Sequence, residues 1–439
     1  MNKRLKVAVV GGGWAGLAAA VELGASGAQV TLFEAAKQLG GRARSVKLHG
    51  QPHLQALDNG QHLLIGAYRE TLRLMTTVGA DPTRLLKRLA LDLRYPGTAF
   101  RLHLPRLPVP LNLAIGLISA QGASLSEKLG AVRFMRFLQG CNYRLDADCT
   151  VTELLDRHVQ HGNLRRHLWE PLCLAALNTA PKHASAQIFV NVLHDSLGDS
   201  RADTDLLVPT ADLDRVFPLP AADFIRAHLG EIRLSSRVNR IEQDLRIEGE
   251  KFDRVILALA SQHAAPLLLQ HGETEAIAAL LANYTFEPIG TVYAAYPPEL
   301  RLPFPMLGLG GDGTDALGQW VFDRGQLGGA PGLMSFVLSA QGAWDELDSA
   351  VLLATLHGEL EQALARKLPQ ALWHQLIRER RATFSCRPDL PRPTAATPLA
   401  GLWLAGDYTC ANYPATLEGA VRSGIAAARW ALQDRPEKQ

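Results

Sequence analysis

Val7 to Arg44 reads VAVVGGGWAGLAAAVELGASGAQVTLFEAAKQLGGRAR. Val7-Ala8-Val9-Val10 is a short apolar run rich in β-branched side chains, the pattern of a buried parallel strand. Gly11-x-Gly13-x-x-Gly16 follows, then Leu17 to Leu23 at helical spacing, then a second buried strand, Val30 to Phe33, ending at Glu34. Each part has a physical task in dinucleotide binding. Gly11 permits the tight turn, Gly13 admits a pyrophosphate to the backbone, and Gly16 lets helix and strand pack closely. The helix N-terminus favours the phosphates, and Glu34 can accept hydrogen bonds from a ribose 2′-OH. A glycine triplet alone reads as a turn; strand, helix, second strand and terminal acid in register read as a nucleotide site.

Gly40-Gly41-Arg42-Ala43-Arg44 lies just beyond Glu34. With the preceding fingerprint it resembles the two-dinucleotide-binding-domain flavoproteins of the amine oxidase and phytoene desaturase superfamily. The resemblance implies FAD, with Arg42 at its pyrophosphate. Near the C-terminus Leu402 to Asp407 (LWLAGD) and Thr416 to Ala420 (TLEGA) extend it. There it implies that Gly406 and Asp407 hold the ribityl-phosphate region, and that the helix opening at Thr416 and Leu417 faces the flavin O2. Ala221 to Leu229 reads as a helix, and Glu231–Ser235, Val238–Gln243, Arg246–Glu248 and Phe252–Ala260 as strands. In this family the backbone at Val238 meets the adenine. The implied fold is α/β: a Rossmann-like FAD domain from residues 1–80, 203–263 and 394–439, and a discontinuous α+β substrate domain from 81–202 and 264–393.

Lys+Arg 45 against Asp+Glu 43 leaves no bulk field for nucleic acid. Cys141, Cys149, Cys173, Cys386 and Cys410 are scattered, odd in number and without a CxxC pair. That argues against a disulfide framework or a metal site and fits a reducing cytoplasm. The basic start, Met1 to Lys6, runs directly into the fingerprint strand, so a cytoplasmic N-terminus is expected. No run reaches the ~18 apolar residues of a spanning helix.

Leu57 to Gly66 is a turn in apolar surroundings. Gly60 there would permit close approach to the flavin, and His62 either points into the substrate cavity or is a core histidine; Asp58 and Asn59 can cap the turn. Leu102 to Pro110 is proline-rich and irregular. Leu111 to Ala120 is apolar between Arg101, Arg106, Lys128, Arg133 and Arg136, so residues 105–120 read either as a membrane-facing segment or as a core helix. Thr150-x-x-Glu153 is a capping box. Trp169 to Thr179 and Phe189 to Leu193 are small and apolar at helical spacing, a buried helix pair by pattern. Their wording, continued in Asp205 to Pro209, resembles the squalene-associated FAD-dependent branch. Tyr293–Tyr296, Gln319–Phe322 and Ser335–Leu338 read as strands over a cavity.

That branch implies reductive removal of the hydroxyl of hydroxysqualene, a long isoprenoid, with an external donor re-reducing the flavin. Carotenoid-type desaturation and amine oxidation are the alternatives, with a flavin-free prenyl-lipid carrier of the GDP-dissociation-inhibitor type as the non-enzymatic one. Against amine oxidation, Thr416 stands where the resembling amine oxidases have a cage tyrosine, leaving Tyr413 as one wall. An allylic hydroxyl leaves poorly unless protonated, so a proton donor is expected in the cavity: His62 first, which could instead orient the hydroxyl, then Asp58.

Overall fold

The computed structural model describes residues 4–46, 57–197, 200–310 and 316–433. The first three residues of the basic N-terminal stretch lie outside these.

Five parallel strands form the nucleotide sheet, in the order Glu231–Arg233, Gln29–Phe33, Lys6–Val10, Arg254–Leu257, Leu402–Leu404. Val7 sits between Val30 and Arg254, and Ile256 between Val9 and Trp403. Alternate side chains feed two cores, as strand geometry requires. Val7, Val9, Leu32 and Ile256 join Leu17, Val21 and Ile425 on one face. Ala8, Val10, Phe33, Val255 and Leu257 join Phe252 and Tyr408 on the other. The first face is covered by helices Trp14–Ala25 and Leu417–Gln433, which pack on each other.

The expected elements shift at their ends. The first helix begins at Trp14 rather than Leu17, and the strand expected over Phe252–Ala260 shortens to Arg254–Leu257. The helix expected over Ala221–Leu229 spans Pro218–Ala227. Val238–Gln243 is not a strand. Its backbone bonds instead to a side chain, with the Gln270 amide donating to Asn239 O at 2.8 Å and accepting from Ile241 N–H at 3.3 Å. Leu57–Asp58 and Leu64–Ile65 bracket the expected turn as short strands. The expected division at residue 81 also crosses a sheet, because Leu86–Leu89 and Leu64–Ile65 both pair with Leu206–Pro209.

The second large sheet is antiparallel: Met306–Gly308, Trp320–Asp323, Leu333–Ser339, Phe286–Ala295, Trp373–Phe384. Helix Ser349–Leu364 backs it through Leu352, Leu356 and Leu360 against Val292 and Phe336. Its opposite face, with Trp320, Phe322 and Val337, looks onto the cavity. A helical layer completes this half: Leu111–Ser119, Leu125–Gly140, Val151–Arg157, Glu170–Leu177 and Ala186–Leu197. Thr150 and Glu153 cap Val151–Arg157 reciprocally. Trp169, fully buried, ends a π-helical turn and donates to Gln160 Oε1 at 3.0 Å.

Helix Leu111–Ser119 is two-faced. Leu113 and Leu117 are core residues, whereas Leu111, Ile115 and Ile118 are 55%, 42% and 62% exposed. Leu125 and Leu129 add to the exposed apolar surface. No helix among the described residues is long and apolar enough to cross a membrane.

Candidate functional site

The site is assembled where the parallel strands end. Gly11 N–H bonds Phe33 O at 2.8 Å, closing the turn that carries the chain into helix Trp14–Ala25. A Cβ on Gly16 would lie 1.9 Å from Gly11 O, so only glycine lets helix and turn meet. At Gly13 the reason differs. Nothing but Gly41 Cα, at 3.8 Å, lies near the position of a Cβ, and the space in front of it is cavity. Gly13 therefore keeps room for a ligand at a helix N-terminus that has no side-chain cap.

Glu34 Oε2 accepts Gly12 N–H and Oε1 accepts Ala36 N–H, both at 2.7 Å, which fixes the carboxylate at the cavity wall. Arg42 donates to Asp407 Oδ2 and to Ala382 O, each at 2.7 Å. The pair joins the first and last passes of the chain through the sheet. Asn59 clamps the loop from below, donating to Arg42 O and accepting Arg44 N–H. Gly406 N–H bonds Ser423 Oγ at 2.9 Å, and Thr416 Oγ1 accepts Gly419 N–H at 3.1 Å, capping helix Leu417–Gln433. Glu418, fully buried, accepts Glu70 N–H, Thr71 N–H, the Thr71 hydroxyl and Arg422 Nε. It thereby caps a second helix, Arg69–Thr77, a role that its place in the TLEGA segment did not reveal.

One cavity of about 1020 Å³ joins these groups to the apolar interior. Gly11, Gly13, Glu34, Arg42, Val238, Gly406, Asp407, Thr416 and Leu417 all line it. Leu172, Ala175 and Ala176 of one helix, Val192 of the other, and Trp320 and Phe322 of the sheet also line it, so the expected helix pair does face a cavity. An acid at the second strand, an arginine, a side-chain-free approach at Gly13 and two helix N-termini fit a dinucleotide's ribose and phosphates.

His62 lines this cavity, and its Nδ1 is 3.0 Å from Gly60 O. A carbonyl only accepts, so Nδ1 carries the proton and Nε2 is left as an acceptor. Burial drives the imidazole pKa down to about 4, against the Gly60 hydrogen bond and with help from the Arg324 charge. At neutral pH His62 has no acidic proton to give. Of the two roles expected of it, proton donor or orienting group, this geometry suits the acceptor that orients a hydroxyl.

Asp58, the second candidate, stands apart from the cavity. It is 3% exposed, does not line the cavity, and gives Oδ1 to Leu213 N–H at 2.9 Å. Burial raises its pKa to about 7, partly countered by the Leu213 hydrogen bond and the Arg324 charge. It is a protonatable group behind the wall.

Tyr68 went unread in the sequence, and Asn178 was read only as part of a buried helix. Tyr68 stands in the cavity with Tyr413, and burial pushes both hydroxyls far above their ordinary range, so both stay protonated. The Arg422 guanidinium lies 4.4 Å from the Tyr413 ring centroid, so the chain's own cation already occupies a face of that ring. Asn178, in left-handed conformation at the end of helix Glu170–Leu177, ties that helix to Pro288 O, Thr383 Oγ1 and Ala340 N–H. A helical stop at an asparagine was the available signal.

The family described as flavin containing amine oxidoreductase matches residues 14–432. Hydroxysqualene dehydroxylase of Rhodopseudomonas palustris is 29% identical over 441 residues, covering 96% of this chain and 97% of that protein. The 15-cis-phytoene desaturase of an Oncidium hybrid cultivar is 25% identical over 468 residues, covering 99% and 78%. Among solved structures, a putative protoporphyrinogen oxidase from Exiguobacterium superposes with TM-score 0.69 at 17% identity, covering 99% of this chain and 100% of that one. This last likeness concerns the fold.

Proposed function

The chain belongs to the flavin-containing amine oxidoreductases, and from that premise we propose that it removes the hydroxyl of hydroxysqualene reductively, giving squalene. The cofactor is FAD. The observation that carries the reading is the single cavity that runs from the Gly13 turn to the apolar helix pair. A long isoprenoid needs such a lining, since each CH₂ taken from water is worth ~0.8 kcal/mol.

Gly13 and the N-terminus of helix Trp14–Ala25 would hold the pyrophosphate, with Arg42 beside it and Glu34 at the ribose. Asp407 would hold the ribityl region and Val238 the adenine. Reduced FAD, in its doubly protonated form, would supply when bound both the hydride and the proton with which the hydroxyl departs as water. The protein's part is placement. The wall packs the chain and excludes water, His62 Nε2 accepts from the substrate hydroxyl, and the Tyr68 and Tyr413 hydroxyls can donate to it without ionising. Among the described residues the lining contains no lysine, and Tyr413 already carries a guanidinium, which speaks against a substrate amine. The same apolar lining suits desaturation, the second reading, which takes hydride in the opposite direction and has the desaturase relative in its favour.

An anaerobic assay of photoreduced protein with hydroxysqualene tests the choice. Squalene formed with reoxidation of the flavin is expected; no squalene from the reduced enzyme, with polyene product from the oxidised one, would establish desaturation. The reading includes an external reductant and peripheral contact with the inner face of the cytoplasmic membrane. The exposed Leu111, Ile115 and Ile118 with Arg106, Lys128, Arg133 and Arg136 nearby in sequence support that contact.

A further inference from the structure

Arg324 follows strand Trp320–Asp323 at the start of a 3₁₀ turn, Arg324–Leu327, and is 9% exposed. Among the described residues no carboxylate stands within ion-pair distance of it. Its neighbour Asp323 is taken up by Leu302 N–H at 3.0 Å, Gln326 N–H at 3.3 Å and the Gln326 amide at 2.8 Å. Asp58 gives its Oδ1 to Leu213. Arg324 Nη1 donates to Gln61 Oε1 at 3.1 Å, while Nε finds no acceptor. A buried cation whose side-chain hydrogen bond goes to a neutral amide, with the Asp58 carboxylate attracting it only from beyond ion-pair distance, is weakly compensated. Groups kept at such a cost cluster at functional sites.

What Arg324 holds is informative. Gln61 Oε1 receives a second donor, Ser335 Oγ, at 2.9 Å. With the oxygen fixed by two donors, Nε2 must turn the other way, where it donates to His62 O at 3.0 Å. Gln61 N–H reaches Thr291 Oγ1 at 3.3 Å. Arg324, Ser335 and Thr291 thus grip the Gly60–His62 turn from the antiparallel sheet. Gln61 and His62 line the cavity; Arg324 does not.

We propose that Arg324 is a positioning residue for the reacting hydroxyl: it orients Gln61, fixes the Gly60–His62 turn at the cavity wall, and puts a positive charge behind that wall. This rests on the reading above, in which the substrate hydroxyl meets His62. The Arg324 charge also opposes protonation of His62, in a neighbourhood that holds Asp58, Asp323 and Tyr293, with Asp212 and Asp214 acting on Asp58.

The test compares Arg324→Met and Arg324→Lys in the holoenzyme. His62 is titrated by NMR, with its signal assigned through His62→Phe. Arg324→Met should raise the His62 pKa by about one unit and lower kcat ~10-fold, with KM within about twofold. Its thermal midpoint should match or exceed that of the parent. Arg324→Lys should return the His62 titration toward the parent value and recover part of kcat. An unchanged His62 titration in Arg324→Met would overturn the proposal, as would a lowered midpoint with His62 unmoved, the mark of a packing residue. Should even the parent fail to convert hydroxysqualene, the proposed reaction falls, while the His62 titration still decides the role of Arg324.

Discussion

Asp58→Asn isolates the energetic consequence of a carboxyl walled away from water. In the unfolded chain this group releases its proton near 3.8; in the folded protein it does so near 7. Between those values the folded state binds the extra proton, so stability falls as pH rises across the window and levels off above it. A difference of about 3 units at 1.36 kcal/mol each gives a cost of about 4 kcal/mol at pH 8, an order-of-magnitude figure. Asparagine imitates the neutral acid and keeps an oxygen for Leu213 N–H. The variant should therefore match the parent near pH 4 and exceed it near pH 8. Urea unfolding followed by tryptophan fluorescence at the two pH values gives the comparison. An Asp58→Asn protein equal to or weaker than the parent at pH 8 would refute the reasoning, and Asp58 would then be a paired charge.

Gly13→Val should purify without visible flavin absorbance, because its side chain enters the ligand space, whereas Gly16→Ala should fold poorly, since its Cβ meets Gly11 O at 1.9 Å; a yellow Gly13→Val protein would contradict the nucleotide assignment. His62→Phe should keep its flavin and lose ~10-fold or more in kcat, the scale of one lost hydrogen bond at a reacting group. The His62 contribution to kcat in the parent should hold from pH 7 down to about 5 and fall toward pH 4, where the ring protonates and stops accepting. Replacing Leu111, Ile115 and Ile118 together by Ser should weaken binding to anionic liposomes without loss of flavin or stability; Leu113→Ser and Leu117→Ser should instead destabilise, because those side chains are buried.

The nucleotide half was legible because its constraints are local. Gly11, Gly13, Gly16 and Glu34 lie within one βαβ unit, where spacing alone fixes geometry. Arg42, Asp407 and Thr416 were found through a resemblance, and the structure brings them to one cavity. Glu418 was quoted within that motif without its role, since its partners at Glu70 and Thr71 lie far away in the chain. His62 and Asp58 show the limit. Both were candidate proton donors, His62 also a candidate to orient the hydroxyl, because a sequence gives residue type but not which way a side chain turns. The turn between strands Leu57–Asp58 and Leu64–Ile65 presents His62 to the cavity while Asp58 stays behind it, and burial then shifts their pKa values in opposite directions. Arg324 carried no signal, because its significance lies in a missing partner. The two-faced helix Leu111–Ser119 could be both core and surface, alternatives that the apolar run had set against each other.

The strand order of the nucleotide sheet carries a consequence for biosynthesis. Leu402–Leu404 pairs with Arg254–Leu257, and Asp407 reaches back to Arg42. A growing chain therefore makes the Gly13 turn early but cannot close the sheet or form that ion pair until Leu402 to Asp407 has emerged. Until then one sheet edge stays open, and the antiparallel half has to fold beside it. The cavity's full lining exists only once Gly406 to Leu417 has been made. A product truncated before Leu402 would keep its glycine fingerprint intact and still lack a flavin site.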